Sequence, residues 1–303
     1  MDPFKKKSPL AKMLLKAKDV ESFKNYKFLQ QLTKAPQPIN LDVPQKAAYH
    51  FKHSGNAGDI IYALPAIYAL AGKSNIHLHL NPGQPGRYGK KPHPLGNLML
   101  NEKMIQLLQP LLLAQKNIVE CTVYQPQQAI DFDLDLIRRY PFPLNRGNIS
   151  RWYFHLFAIN ADLGQPWLSV VPDTGMNEYI VVARSQRYQA PGIDYSFLKG
   201  FQKVLFIGVE AELKEMQQLV PTIEYRPVKD FLEMAQVIAG SKLFIGNQSF
   251  PFSIAEGLKI KRLLEVYHLS PNVNVEGLNG FDFCYQPQFE KLVQKLYARL
   301  ATA

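Results

Sequence analysis

Apolar residues recur at Leu10, Met13, Leu14 and Ala17, then at Val20, Phe23 and Phe28, with lysines between them. This spacing predicts a helical arm with one basic face. Such an arm can lie on a membrane surface or hold a partner. A helix packed on its own domain with solvated lysines accounts for the same pattern and is preferred. Pro36, Pro38 and Pro44 then interrupt it. From residue 46 the period changes, with strands predicted over 47–53 and 76–80 and a helix over 60–71 that sets Ile60, Leu64 and Ile67 on one side. Helices near 104–113 and 150–159 and a strand over 130–136 continue the alternation. After a turn at 172–175 a second series begins. It has strands over 178–183, 203–209, 223–225, 243–245 and 263–267, and helices over 210–219 and 231–239. A last helix places Phe289, Leu292, Val293, Leu296 and Leu300 at 3.6-residue spacing.

Strand and helix alternating through two successive series is the rhythm of parallel sheets. The expected fold is α/β, with two Rossmann-like doubly wound domains facing a central cleft. The expected division is a basic arm over 1–45, a first domain over 46–172, a second over 173–284, and a helix over 285–303 packing across both.

Composition narrows the class. An apolar fraction of 47% is ordinary for a globular chain, and no run approaches the about 18 apolar residues that cross a bilayer. Lys5, Lys6 and Lys7 are not followed by the continuous apolar core of a secretory signal. Cys121 and Cys284 have neither metal-like nor redox-like spacing, which fits a reducing cytoplasm. The formal charge is +10, but residues 1–34 hold nine lysines against three acids, so the body is only mildly basic. An anionic small substrate or an anionic membrane face suits that balance. No RNA-module or zinc-finger pattern is present, so nucleic acid is not an expected partner.

Two segments carry candidate chemistry. In the first, a strand ends at His53, passes Gly55, Asn56, Ala57 and Gly58, and enters a helix with Asp59 at its start and Pro65 inside. Small residues at such a turn let the backbone approach a ligand. The helix dipole favours a carboxylate there, so Asp59 reads either as an ordinary helix-start acid or as a base beside a substrate. In the second, a strand runs into Gly246, a polar turn of Asn247, Gln248 and Ser249, and a helix that Pro251 is suited to begin. Free N–H groups at that start suit a diphosphate, with Ser249 as a further donor or as a simple cap. Glu256, two turns on, can take ribose hydroxyls or face solvent.

Gly58-Asp59 with Pro65, paired with Ile245-Gly246-Asn247, Ser249, Pro251 and Ala255, resembles the bacterial heptosyltransferases of glycosyltransferase family 9, which have the GT-B fold. The likeness spans most of residues 46–270. It implies an inverting, metal-independent glycosyltransferase that moves a sugar from a nucleotide-sugar donor to a saccharide or glycoconjugate acceptor, with no cofactor. It implies that Asp59 is the catalytic base. The donor would lie on Gly246, Asn247, Gln248, Ser249 and Glu256, with Arg184 and Arg187 as cationic support. His53, Asn56, Gly58 and His268 are assigned to the acceptor side of the cleft. Where the family carries an acid, a glycine and a histidine in the late motif, this chain has Gln248, Phe250 and Ser253, and the family's lysine has no counterpart in 184–188. The alternative is a noncatalytic sugar-nucleotide or glycan-binding protein on a degenerate GT-B fold. The resemblance and the charge together imply a cytoplasmic protein whose basic arm is able to rest on the inner face of the membrane.

Asp131, Asp133 and Asp135 alternate with apolar residues. They can hold a divalent metal or form the polar side of a strand, and the strand reading is preferred because metal ligands usually converge from turns. His77 and His79 share a strand face without a third ligand and read as structural.

Overall fold

The computed structural model describes residues 4–35, 39, 43–86, 88, 93 and 95–298. Pro36, Pro38 and Leu300 lie outside the described residues. The arm forms two helices, α1 (Pro9–Lys18) and α2 (Val20–Leu32). Next come β1 (Ala48–His53), α3 (Ala57–Ala71), β2 (Asn75–Leu80), α4 (Glu102–Leu113), β3 (Ile118–Val123), β4 (Phe132–Asp133) and α5 (Ile149–Phe157). The later part contains β5 (Ile180–Ala183), β6 (Val204–Phe206), α6 (Glu210–Leu219), β7 (Glu224–Tyr225), α7 (Phe231–Gly240), β8 (Leu243–Asn247), α8 (Phe250–Leu258), β9 (Arg262–Glu265), β10 (Gly280–Phe283) and α9 (Gln286–Ala298).

Two all-parallel sheets result, ordered β3-β2-β1-β4 and β10-β9-β8-β5-β6-β7. Both orders reverse direction once. In the first the reversal falls between β1 and β4; in the second it falls between β5 and β8, where Ala183 pairs with Gly246. Crevices at the carboxyl ends of strands on either side of such a reversal are where open α/β sheets bind ligands. The two candidate segments leave β1 and β8 at those points.

The sheets differ in cover. Strands β5 and β8 are apolar on both faces: Val181, Ala183 and Phe244 enter one core, and Ile180, Val182 and Ile245 the other. This is the pattern of a parallel sheet with helices on both sides. In the first sheet Tyr49, Phe51, Ile76 and Leu78 face the core, whereas His50, Lys52, His77 and Glu120 form a half-buried polar face. The described helices α3, α4 and α5 send their buried residues to the apolar side. Doubly wound cover is therefore found in the second sheet, and the first is covered by these helices on one face. One continuous core joins them, because α3 packs on α8 and α4 on α7.

Several expectations shift. The predicted strand over 130–136 stops at Asp133 and becomes a 3-10 turn over Leu134–Arg138, because Asp133 accepts the Asp135 N–H and folds the chain back. The three aspartates serve β1 in succession. Asp131 pairs with Lys46 and accepts the His50 N–H, Asp133 pairs with Lys52, and Asp135 accepts the Ser54 N–H. Among the described residues no group of three or more His, Cys, Asp or Glu is arranged to hold a metal ion. Strands β3 and β10 escaped the sequence reading. Helix α9 buries Phe289, Val293 and Leu296 in the second sheet's own core beside Tyr195 and Phe283, where the sequence placed it across both halves. The arm departs from the preferred reading too: α1 buries no residue, and the main packing of α1 and α2 is on each other.

Candidate active site

A cavity of about 620 Å³ lies between the two strand reversals. Residues 56–59 and Tyr62 line one wall, 183–188, 208, 209, 211, 212 and 248–251 the other, and parts of 93–104 and 228–234 complete it.

On the first wall the turn after β1 is held rigidly. His53 is fully buried; its Nδ1 accepts the Gly55 N–H (2.9 Å), which leaves Nε2–H to donate to the Tyr153 hydroxyl (2.7 Å). Burial drives the His53 pKa down to about 3, with the nearby Arg138 charge adding to the effect. His53 therefore shapes the turn from behind and does not line the cavity, contrary to its assignment to the cleft. A Cβ on Gly55 would lie 2.4 Å from Arg138 Nη2 and 2.6 Å from His53 Cε1. Gly55 is thus required by these two side chains. Gly58 lines the cavity, and a Cβ added there would meet Ser253 and Phe250 of α8 at ordinary contact distance.

Asp59 sits at the third position of α3, where its Oδ2 accepts the Asn56 backbone N–H (3.3 Å) and the Asn56 side-chain amide (3.2 Å). Both readings of Asp59 are therefore compatible with one position: it caps the helix start and lines the cavity. Arg138 Nη2 lies 3.4 Å from Asp59, and Arg138 Nη1 donates to Asp135 (3.0 Å). Sequence reading missed Arg138, because the 3-10 turn that aims it was taken for strand. Asn56 Oδ1 accepts from the Tyr88 hydroxyl at 2.5 Å. Pro65 leaves α3 continuous, and α5 is tied to α3 where Ser150 Oγ donates to the Tyr62 carbonyl (2.7 Å).

On the second wall the predicted residues divide. Gly246 and Asn247 are buried in β8 and do not line the cavity. A side chain on Gly246 would meet Phe244 and the Ala183 carbonyl. The Asn247 amide clamps the neighbouring loop, accepting the Ser185 N–H (3.0 Å) and donating to the Ser185 carbonyl (2.8 Å). Gln248 lines the cavity while its amide ties down the loop after β9, through Tyr267 N–H, Ser270 O and Asn272 Oδ1. Ser249 is the N-cap residue of α8 by position, yet its side chain makes no capping hydrogen bond to the helix.

Arg184 lines the wall but is committed to Glu265 through two hydrogen bonds of 2.7 Å and lies over Tyr195. Arg187 lies over the rings of Tyr88 and Tyr188, and among the described residues no carboxylate is within ion-pair distance of it. Arg187 is therefore the more available of the two cations.

Glu256 is overturned as a ligand for hydroxyls. It is almost completely buried outside the cavity, paired with Lys259 and with Arg262 Nε (2.5 Å), and it accepts the Glu276 N–H (3.0 Å). Glu212, which the sequence reading passed over, lines the cavity at the start of α6. Burial raises its carboxyl pKa to about 7, against the pull of the Val209 and Gln186 N–H groups. His268 is exposed and does not line the cavity.

No protein-family model and no curated protein matches the sequence. Solved structures do match. Escherichia coli heptosyltransferase WaaC with ADP is similar at a TM-score of 0.55 and 11% identity, over 83% of this chain and 100% of that one. Escherichia coli ADP-heptose lipopolysaccharide heptosyltransferase II gives a TM-score of 0.55 and 11% identity, over 84% and 100%. A glycosyl transferase family 9 protein from Veillonella parvula gives 0.53 and 12%, over 86% and 93%. At such low identity the likeness speaks to architecture, and the chain therefore has the heptosyltransferase-like fold of glycosyltransferase family 9.

Proposed function

We propose that the protein is a glycosyltransferase that works by inversion and without a metal ion. In this reading the parts over 46–172 and 173–284 act as acceptor and donor domains of a GT-B enzyme closing on the cavity. The substrates are a nucleotide sugar and a saccharide or glycoconjugate acceptor. The observation that carries the reading is the cavity with Asp59 on one wall and Arg187, Ser249 and Glu212 on the other.

Asp59 accepts the proton of an acceptor hydroxyl as that oxygen bonds to the anomeric carbon and the bond from this carbon to the diphosphate breaks. General base catalysis of this kind is worth about 10²–10⁴-fold. Arg138 and Asn56 fix the carboxylate for that role. Negative charge on the departing diphosphate meets Arg187 and the start of α8, where the helix dipole and the Ser249 hydroxyl, which otherwise makes only a long bond (3.3 Å) to the Asn247 carbonyl, favour it. Glu212 takes the hydroxyl-binding role first given to Glu256. A cytoplasmic location suits two free cysteines, one buried and one exposed.

Replacing Asp59 with Asn tests the reading. Transfer to acceptor should fall at least about 100-fold, while the rise in melting temperature caused by a nucleoside diphosphate persists. Undiminished transfer would refute Asp59 as base. A second reading, binding of a sugar nucleotide or glycan without turnover, draws on Phe250 and Gln248. Phe250 packs on Phe231 at 4.4 Å, and the Gln248 amide is fully engaged, where the resembling family carries a glycine and an acid. Stabilisation by nucleotide with neither transfer nor donor hydrolysis in the wild type would favour that reading.

A further inference from the structure

The helical arm has a surface that the catalytic reading does not use. Two long-range hydrogen bonds fold it into a hairpin: Lys7 N–H donates to the Tyr26 hydroxyl (2.9 Å), and Gln30 Nε2 donates to the Phe4 carbonyl (2.7 Å). Ser8 and Asp19 cap its two helices through the N–H groups of Ala11 and Ser22. Tyr26 is the buried residue at its centre.

On α1, Ala11 and Leu15 are half-buried, whereas Leu10, Met13 and Leu14 are 61%, 63% and 59% exposed. At 100° per residue these three and Ala17 form one stripe, with Lys16 and Lys18 along its two edges. Among the described residues no element covers this apolar stripe. Between the helices lies a second feature, a depression of about 390 Å³ lined by Lys6, Lys12, Lys27 and Lys34 around Phe23 and Tyr26. Among the described residues none of these four lysines has an ion-pair partner.

We propose that the α1–α2 hairpin docks on an anionic lipid bilayer. Leu10, Met13 and Leu14 enter the acyl boundary, and Lys16 and Lys18 on either side of them meet acidic headgroup phosphates. Charge complementarity selects this occupant. A second copy of the hairpin would bring nine more lysines of the same sign against the first nine. A neutral apolar partner would leave the lysines without counter-charge. This proposal is independent of the catalytic reading, since no hairpin residue lines the cavity.

The test is co-sedimentation of the full chain with mixed phosphatidylglycerol–phosphatidylcholine vesicles against pure phosphatidylcholine. Binding should require phosphatidylglycerol and weaken as salt rises. Changing Leu10, Met13 and Leu14 together to Ser removes no buried side chain and should weaken binding on the order of 100-fold. Reversing Lys16→Glu with Lys18→Glu should weaken it at least about tenfold, whereas Lys16→Arg with Lys18→Arg should keep it. Circular dichroism melts confirm that each variant is folded. Equal capture by both vesicle types, or binding unchanged in both sets of variants, would overturn the proposal. So would a dimer, seen by light scattering, that the triple Ser variant dissociates while vesicles capture no protein.

Discussion

Replacing Glu256 with Gln separates a structural carboxylate from a ligand-binding one. In the fold this carboxylate is a hub: one oxygen serves Lys259 and the Glu276 N–H, the other Arg262 Nε at 2.5 Å. Arg262 is fully buried, and its remaining N–H groups go to the carbonyls of Ile260, Glu276 and Leu278. An amide keeps the volume but removes the counter-charge, and it turns one acceptor into a donor facing other donors. Breaking a buried pair by removing one partner costs about 3–5 kcal/mol. For a chain of 303 residues that corresponds to a fall in Tm of about 5–8 °C. The assay is a thermal melt by circular dichroism, repeated with saturating nucleoside diphosphate. The expected result is a lower Tm with the same nucleotide-induced rise as the wild type. A variant that melts like the wild type but no longer responds to nucleotide would refute the reasoning and return Glu256 to the ligand.

Gly55→Ala should cost about 1–3 kcal/mol through overpacking, and it should also reduce transfer, because the new methyl meets Arg138 and His53; unchanged stability and kcat would refute the tight fit. His53 has a folded pKa of about 3, below its unfolded value, so the unfolded chain binds more protons between roughly pH 3 and 6.5. Its contribution to stability is therefore complete above about pH 6.5 and is lost as pH falls toward 3, at up to about 1.4 kcal/mol per unit. Denaturant titrations across this window should show a shallower decline in His53→Gln, whose stability at neutral pH is lower. Asn247→Ala strips the Ser185 N–H and carbonyl of their partners. It should destabilise by about 1–3 kcal/mol and weaken the response to nucleotide by loosening Arg187; a change in stability alone would confine Asn247 to the core.

Much of the architecture was legible because local rules decide it. The helix over 210–219 coincides with its prediction, and α7 with its Asp230 cap differs by one residue. Two runs of strand and helix sufficed to indicate parallel sheets, since crossover helices connect parallel strands. Signals failed where the element was short. Strand β10 is four residues with half-exposed positions, and the turn at 134–138 exists because one aspartate accepts a neighbouring N–H.

The sequence by itself determined which segments reach the ligand-binding ends of the strands: a turn carrying Asp59 after one strand, and one carrying Gln248 and Ser249 after another. It could not determine which polar residues at those ends stay available, because that depends on partners that only packing brings together. Glu256 lies next to Arg262 only once β9 runs alongside β8, and Arg184 finds Glu265 81 residues further on. Each is thereby removed from the cavity's chemistry or bound within its wall, since a charge taken out of water must be paired. Arg138 and Glu212, silent in the pattern, are brought to the cavity by the same packing.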